Sequence, residues 1–238
     1  MKIVQEVSRL ISIIIAAGKQ SRFKSDVPKA LAKLDNGEVL AVHNYNMLKR
    51  LGDVYIAVSD ENKVYFKEYF NDSTLICVGK PGYGSGDAVY KALGELMPND
   101  HVVICWGDVY ITEKHLEVLS NSPKIKGITI PVHEEINPYV CISKYRVLFS
   151  KYGDKMPAKG LHDLSMFIVD PFSITLFSKL FRTKFFKDDM YCTEHGNEFE
   201  FLDLINFTPI DVELNVVDNI DDYSFNTLDE FTNISKMI

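Results

Sequence analysis

Short, largely apolar segments alternate with amphipathic ones along the first half of the chain. SIIIAA at 12–17 and VVICW at 102–106 are rich in β-branched residues, which predicts central strands of a parallel sheet, buried on both faces. Between them the pattern predicts strands at 54–58 and 75–78 and helices at 38–51, 62–70 and 88–97. This alternation indicates βαβ units, whose crossovers are right-handed.

The pattern is looser in the second half. It predicts strands at 127–132, 139–143, 165–169 and 214–217, and helices at 171–180, 199–207 and 221–234. No Pro/Ser-rich linker, low-complexity stretch or internal repeat divides the chain. We therefore expect a single domain over residues 1–238, with a regular first half at about 12–125 and a more mixed second half at about 126–238.

Charge and hydropathy exclude several classes of protein. A net charge of -7 argues against nucleic acid as the main partner, because phosphate backbones require a basic surface. The first 11 residues contain Glu6 and Arg9 and lack a small-residue cleavage site, so they do not resemble a signal peptide. No apolar run approaches the roughly 20 residues of a membrane span. The expectation is a cytoplasmic protein without a membrane partner.

The four cysteines are far apart in the sequence and form no CxxC pair. Zinc ribbons and dithiol redox sites need paired spacing, so the pattern argues against both. Cys77, Cys105 and Cys141 each lie in an apolar run, where a cysteine is typically a small core residue.

A loop with candidate phosphate chemistry follows the first strand. It reads Ala16-Ala17-Gly18-Lys19-Gln20-Ser21-Arg22, and Val27-Pro28-Lys29 comes soon after. Ligands of α/β sheets bind at the carboxyl ends of strands, and backbone N–H groups there can cradle phosphate oxygens. Arg22 and Lys29 supply cations suited to a triphosphate. The competing interpretation is a solvated loop with incidental charges.

Two further segments carry candidate chemistry. Gly82-Tyr83-Gly84-Ser85-Gly86-Asp87 leads into a helix, and its glycines permit close approach of a flat ligand or serve only as turns. Trp106-Gly107-Asp108 ends a buried strand, where the carboxylate is suited to Mg²⁺ or belongs to a plain turn. Neither a GxGxxG fingerprint nor a GxxxxGK[ST] loop is present, so the dinucleotide and P-loop interpretations lose their main support.

Taken in order, these segments resemble the sugar-phosphate nucleotidyltransferases, especially the uridylyltransferase domain of bacterial N-acetylglucosamine-1-phosphate uridylyltransferases. The family's AAGxGxR loop and following PK correspond to Ala16, Ala17, Gly18, Arg22, Pro28 and Lys29. Its GTGxA loop resembles Gly84-Ser85-Gly86-Asp87-Ala88, and its strand ending in GD resembles Gly107-Asp108. An Asn before the last helix resembles Asn226. The resemblance spans residues 12–232 and is dense up to 112.

The resemblance implies a Rossmann-like three-layer α/β/α sandwich with a mixed, mostly parallel sheet, of the GT-A-like nucleotidyltransferase type. It also implies that Asp108 and Asn226 hold Mg²⁺, that Lys29 and Arg22 are catalytic, and that backbone near Gly84 reads the base. The nucleotide-binding residues are then Ala16, Ala17, Gly18, Lys19, Gln20, Ser21, Gly79, Gly84, Ser85, Gly86 and Asp87.

The implied reaction joins the NMP part of a nucleoside triphosphate to a small phosphorylated acceptor and releases pyrophosphate. CTP or UTP is the expected donor, and a sugar 1-phosphate or similar metabolite the acceptor. Mg²⁺, Arg22 and Lys29 would neutralise the charge of two approaching anions, and positioning would supply much of the remaining catalysis.

Departures from the family pattern leave alternatives open. Gln20 replaces the second glycine of the first loop, which motivates a non-catalytic nucleotide-binding regulatory domain. Gly79 stands where relatives carry a uracil-reading Gln, and Asp163-Leu164-Ser165 replaces their Asn-Thr-Gly. Both changes motivate a cytidylyltransferase with a non-sugar acceptor. The chain carries no hexapeptide repeats, so we expect the acetyltransferase half of the bifunctional relatives to be missing.

Several residues of the second half are candidates for acceptor binding. Tyr139 either lines the acceptor pocket or packs on the sheet, and Asp163 falls in the altered acceptor segment. Glu198 clusters with Glu200 and Asp203, which predicts acceptor contacts or a solvated face. The aromatic residues of 177–186 indicate core packing or a contact between the subunits of a homodimer. His162 is an acceptor contact or an ordinary core or surface histidine.

Overall fold

The structure is a computed structural model and describes residues 10–19, 23, 25–193, 196–220 and 223–237. Its strands are β1 (Leu10–Ala16), β2 (Gly52–Val58), β3 (Leu75–Cys77), β4 (Val102–Trp106), β5 (Gly127–Ile136), β6 (Val140–Ser143), β7 (Arg146–Phe149), β8 (Lys159–Asp163), β9 (Met166–Val169), β10 (Phe186–Lys187), β11 (Met190–Tyr191) and β12 (Asp211–Val216). Its helices are α1 (Leu40–Lys49), α2 (Lys63–Phe66), α3 (Ser85–Leu96), α4 (Glu113–Asn121), α5 (Pro171–Phe185), α6 (Asp203–Phe207) and α7 (Leu228–Ser235).

The main sheet of the described residues has the strand order β3-β2-β1-β4-β9-β5-β12, and β8 also pairs with β5. The pairs β1–β2, β1–β4, β2–β3 and β5–β12 are parallel. Strand β9 runs antiparallel to β4 and β5, and β8 antiparallel to β5. The prediction of a mixed, mostly parallel sheet is therefore confirmed.

Helices cover both faces of this sheet, because its central strands are apolar on both sides. One core joins Ile13 and Ile104 to buried residues of α3, α5 and α6, such as Val89 and Phe181. The other core joins Ile14 and Val103 to residues of α1, α2 and α4. Helix α7 packs on a smaller cluster around Phe23 and Phe225. These layers form the α/β/α sandwich that the resemblance implied.

The chain switches partners at Leu164 and Ser165, between β8 and β9. Strand β8 pairs with β5, whereas β9 pairs mainly with β4. At the switch the N–H of Leu164 donates to Pro131, and the N–H of Trp106 donates to Ser165 at 2.9 Å. Ser165 adopts a positive φ of 59°, and its N–H donates to the carboxylate of Asp163. The irregularity fixes the orientation of Asp163 at the end of β8.

Several element boundaries differ from the prediction. The segment 198–202 is not helical, because its backbone runs along the start of α3 and bonds there at Phe199. Helix α7 begins at Leu228 because Thr227 and Glu230 form a capping box. Helix α4 and strands β7 and β8 were not predicted. Cys77 is exposed, so its predicted core position is wrong.

None of the helices in the described residues combines the length and the apolar character that a bilayer-spanning segment requires.

Candidate active site

A cavity of about 360 Å³ opens at the carboxyl ends of β1 and β4. This is the edge where ligands of parallel sheets bind. The predicted binding, metal and catalytic residues that line it are Ala16, Ala17, Gly18, Lys19, Lys29, Gly84, Ser85, Asp108, Tyr139, Asp163, Glu198 and Asn226. The fold thus gathers residues from both halves of the chain around one space.

The first wall of the cavity is the loop that follows β1. Ala16 and Ala17 are buried at the strand end, whereas Gly18 and Lys19 are exposed. The side chain of Lys19 lies directly over Gly82, where a Cβ atom would overlap it, so this glycine allows the two loops to touch. Gln20, Ser21 and Arg22 lie outside the described residues, and their predicted roles stay predictions.

A cation and a carboxylate meet at the floor of the cavity. Pro28 precedes a 3₁₀ turn over Lys29–Leu31, and the ammonium group of Lys29 donates to Oδ2 of Asp108. Asp108 follows β4 directly after Gly107, whose N–H donates to the carbonyl of Ile15 at 3.0 Å. Both charged side chains are about one fifth exposed, at 21% and 20%, so they remain accessible to a ligand in the cavity.

Backbone pairing brings Asn226 to the same place. The N–H of Phe225 donates to the carbonyl of Asp108 at 3.0 Å, and the N–H of Tyr110 donates to Tyr223 at 3.2 Å. These bonds surround an isolated bridge between Val109 and Ser224. Asp108 and Asn226 therefore line one cavity, although they are far apart in the chain. A carboxylate and a side-chain amide are hard oxygen donors, and this donor set suits Mg²⁺.

The glycines at the start of α3 accommodate the protein's own chain. Gly84 has a φ of 94°, and a Cβ atom there would overlap the backbone of Phe199. A Cβ atom at Gly86 would meet the Phe199 ring, and the N–H of Gly86 donates to the Phe199 carbonyl at 2.8 Å. Ser85 and Ala88 instead face the cavity, three positions apart on one side of the helix.

Three predicted nucleotide-binding residues do not line the cavity: Gly79, Gly86 and Asp87. The carboxylate of Asp87 is buried and receives bonds from Arg182 and from the Tyr191 hydroxyl, the latter at 2.6 Å. Lys91, one turn further along α3, lies 2.8 Å from the other carboxylate oxygen. This arrangement differs from the prediction and makes Asp87 the centre of an ion-pair cluster between α3 and α5.

The acceptor candidates belong to a second wall of the cavity, formed by residues of the second half of the chain. Tyr139 precedes β6, Asp163 ends β8, and Glu198 belongs to the extended segment before α6. Asp163 is buried at 5% exposure, and one of its oxygens accepts the N–H of Ser165 at 2.9 Å. Tyr139 is 44% exposed, so its ring is available at the cavity mouth.

Glu200 is the centre of a polar network on this wall. Its carboxylate accepts bonds from Ser85 at 2.9 Å, from Tyr152 at 3.0 Å and from the ammonium group of Lys151. Burial alone would raise the pKa of Glu200, but Lys151 and the bonds from Ser85 and Tyr152 together hold it below its ordinary value. Burial and the Glu200 charge raise the pKa of Tyr152, which therefore remains a donor.

Lys151 was missed by sequence reasoning, and Glu200 was only one member of an acidic cluster. Lys151 is a single lysine after β7, and no motif surrounds it. Its role in the network depends on contacts across 49 positions of sequence, so the local pattern holds no signal for it. Asp203 turns out to be fully buried, where it accepts the N–H of Glu200 at 3.1 Å.

Comparisons with known proteins agree with this geometry. The family model described as the MobA-like NTP transferase domain matches residues 12–164, which is more than half of the chain. The chain is 31% identical over 144 residues to the bifunctional protein GlmU of Buchnera aphidicola subsp. Schizaphis graminum, covering 59% of this chain and 30% of that protein. It is 37% identical over 106 residues to GlmU of Ruthia magnifica, covering 43% of this chain and 23% of that protein.

The matches cover less than a third of each of these relatives. They confirm the resemblance that the loops after β1 and β4 indicated, and they support a transferase. The chain belongs to the family of MobA-like NTP transferase domains.

Proposed function

We propose that this domain transfers the NMP part of a nucleoside triphosphate to a sugar 1-phosphate or a similar small phosphate, releasing pyrophosphate. The observation that carries the proposal is the convergence of Lys29, Asp108 and Asn226 on the cavity beside the β1 loop. A site that only binds a nucleotide does not need a paired cation and carboxylate next to an amide oxygen. Family membership supports the same reaction class.

The triphosphate would lie against the loop after β1. Backbone N–H groups in such a turn can bind phosphate oxygens, and Lys19 and Lys29 add positive charge at the cavity wall. Lys29 already donates to Asp108, so its ammonium group is held at a defined position rather than sampling solvent. A cation positioned in advance stabilises charge that develops on the phosphates during transfer.

Asp108 and Asn226 would hold Mg²⁺. The fit rests on their oxygen donors, on their shared cavity and on the cation that Asp108 already binds, the Lys29 ammonium. When bound, Mg²⁺ would neutralise phosphate charge and help to align the donor.

The acceptor would occupy the second wall, where Asp163, Glu198 and Tyr139 lie. Carboxylates and a phenol ring there suit the hydroxyl groups and the apolar face of a sugar. An oxygen of the acceptor phosphate attacks the α-phosphorus of the donor, and the bond from that phosphorus to the bridging oxygen breaks as pyrophosphate leaves. The protein's contribution is to orient the two anions and exclude competing water.

Pyrophosphate release is the direct test. The full chain with Mg²⁺ would be assayed with UTP, CTP, dTTP, ATP and GTP, each against a panel of sugar 1-phosphates and non-sugar phosphates. We expect turnover with one pyrimidine triphosphate and one class of acceptor. Asp108→Asn should abolish it, because it removes the charge that holds both Lys29 and the cation.

Asp100→Asn is the matched control. Asp100 lies at the opposite end of β4 with an exposed side chain, so its loss should leave turnover unchanged. Stabilisation of the fold by one triphosphate without turnover would indicate that the acceptor panel was incomplete. Neither turnover nor stabilisation with any triphosphate would contradict the proposal.

A further inference from the structure

Three potential metal ligands converge on one face of the β5–β8 ladder, outside the cavity described above. His133 and Glu135 are two positions apart on β5, so their side chains point to the same face. His162 on β8 pairs directly with His133 in the antiparallel register. The candidate ligand atoms of these three residues all lie within 4.8 Å of one another.

Two polar atoms of this site, one on His133 and one on Glu135, are shielded from solvent without an ordinary hydrogen bond. Nε2 of His133 and Oε2 of Glu135 are buried and have no hydrogen-bond partner among the described residues. Oε2 of Glu135 lies 2.7 Å from Nδ1 of His162, close enough for an ion pair but without the angle of a hydrogen bond. A buried polar atom that lacks a partner, such as Nε2 of His133, costs stability, and a bound cation would satisfy it.

We propose that His133, Glu135 and His162 form a binding site for a divalent first-row transition metal, with Zn²⁺ as the representative ion. Two imidazoles and one carboxylate are ligands that such metals accept, whereas Mg²⁺ prefers oxygen alone. Zinc–nitrogen bonds measure about 2.0–2.1 Å, so ligand atoms within 4.8 Å of one another are near the spacing of a single coordination sphere. Three protein ligands leave an open position for water or a small anion.

The proposed site is separate from the Asp108–Asn226 site but shares a wall with it. His133, Glu135 and His162 line a second cleft together with Tyr223, Ser224 and Met237. Neighbouring residues of a strand face opposite sides, so Asp163 lines the first cavity and His162 the second.

Tyr139 and Asn226 line both clefts, and the Tyr139 ring lies 4.9 Å from the His162 ring. A metal at the trio would therefore rigidify the wall between the two sites.

Zinc titration of the full chain tests the proposal. The protein would carry no polyhistidine tag, and Cys77 and Cys192 would be replaced by serine in every sample, because exposed thiols also bind zinc. After chelator treatment, calorimetry should show one equivalent of Zn²⁺ bound, and excess Mg²⁺ should not displace it. Co²⁺ should give the visible absorption of a low-coordinate complex.

His133→Gln and Glu135→Gln are the informative variants, since both side chains are only half-buried and the fold should tolerate them. Each should weaken Zn²⁺ binding at least roughly tenfold, because even supporting residues around metals cost 10–100-fold when removed. His101→Gln is the matched control: His101 bonds to Ile125 far from the trio, and its loss should change nothing. Unchanged affinity in both trio variants, or no binding by the parent protein, would overturn the proposal.

Discussion

The two walls of the main cavity are built in different ways. In residues 12–125 the lining comes from short continuous segments: the loops that follow parallel strands β1 and β4, the turn at Lys29 and the start of α3. The sheet sets the backbone positions of the loops after β1 and β4. In residues 126–238 the polar lining includes side chains on five separate segments: Tyr139, Lys151, Asp163, the neighbouring Glu198 and Glu200, and Asn226. The first wall is a set of loops, and the second is a network of side chains.

This difference suits the two walls to different parts of the proposed reaction. The family model spans residues 12–164, so it includes Lys29 and Asp108 of the first wall and Tyr139, Lys151 and Asp163 of the second, but not Glu198, Glu200 or Asn226. A loop fixed by parallel strands presents the same backbone geometry with many sequences, whereas a side-chain network changes with each substitution. In the proposed reaction the first wall would therefore bind the triphosphate and the second the acceptor.

The largest expected effect tests the first wall. Lys29→Met keeps much of the side-chain volume but removes the charge bonded to Asp108. Loss of one positioned electrostatic group at a reacting centre typically costs roughly 10²–10³ in kcat, so we expect a decrease of that size in pyrophosphate release.

Lys33→Met controls for the loss of a lysine from the same segment, because Lys33 is exposed outside the cavity. If Lys29→Met retained near-normal kcat, the first wall would not provide the electrostatic part of catalysis. The proposed difference in role between the two walls would then be contradicted.

Features formed by continuous segments of the chain, as in the first wall, were the ones that the sequence could predict. The loop after β1, Asp108 and the central strands were predictable because each is a continuous segment with its own signature. Gly86 and Asp87 matched a family motif, yet helix α3 turns them away from the cavity, whereas Gly84, Ser85 and Ala88 of the same motif line it. A match to a linear motif does not determine which face of the helix each side chain lies on.

Contacts distant in sequence account for what the sequence did not reveal. Glu200 meets Ser85 across 115 positions, and Asp87 meets Arg182 across 95. Such pairs depend on how α3, α5 and the segment before α6 pack together. Neither residue of a pair carries a local pattern that identifies the other.

The second prediction concerns the junction between the two regions. Arg182→Met should lower the free energy of unfolding by about 3 kcal/mol, because removing one partner of a buried ion pair leaves the other charge uncompensated. We take the lower end of the usual range, since Arg182 is 26% exposed and Lys91 still contacts Asp87. Denaturant unfolding followed by fluorescence of the single tryptophan, Trp106, would measure it.

The same variant separates a structural Asp87 from a nucleotide-binding one. If Asp87 only stabilises the junction, Arg182→Met and Asp87→Asn should leave the KM for the triphosphate unchanged where the protein is folded. Arg146→Met, at an exposed position of β7, controls for loss of an arginine. A raised KM for the triphosphate in Asp87→Asn would restore the role that the motif predicted.

The smallest effect is expected on the second wall. Glu200→Gln preserves shape but weakens the bonds from Ser85, Lys151 and Tyr152. We expect the KM for the acceptor to rise roughly tenfold, equivalent to about 1.4 kcal/mol, while the KM for the triphosphate and kcat change little. A change in kcat alone would assign Glu200 to the first wall instead.

Acid pH provides an independent check on the same residue. The pKa of Glu200 is lowered in the folded protein, so its ionised form contributes stability that is complete above its ordinary value of 4.5. That contribution is lost as the pH falls from there through the lowered pKa of the folded state. The stability difference between the wild type and Glu200→Gln should therefore be constant from pH 7 to about 5 and shrink below about 4.5.

Denaturant unfolding at a series of pH values measures this difference. A stability difference that stayed constant down to acid pH would contradict this role of the Glu200 charge. The contact between the second wall and α3 would then depend on packing alone.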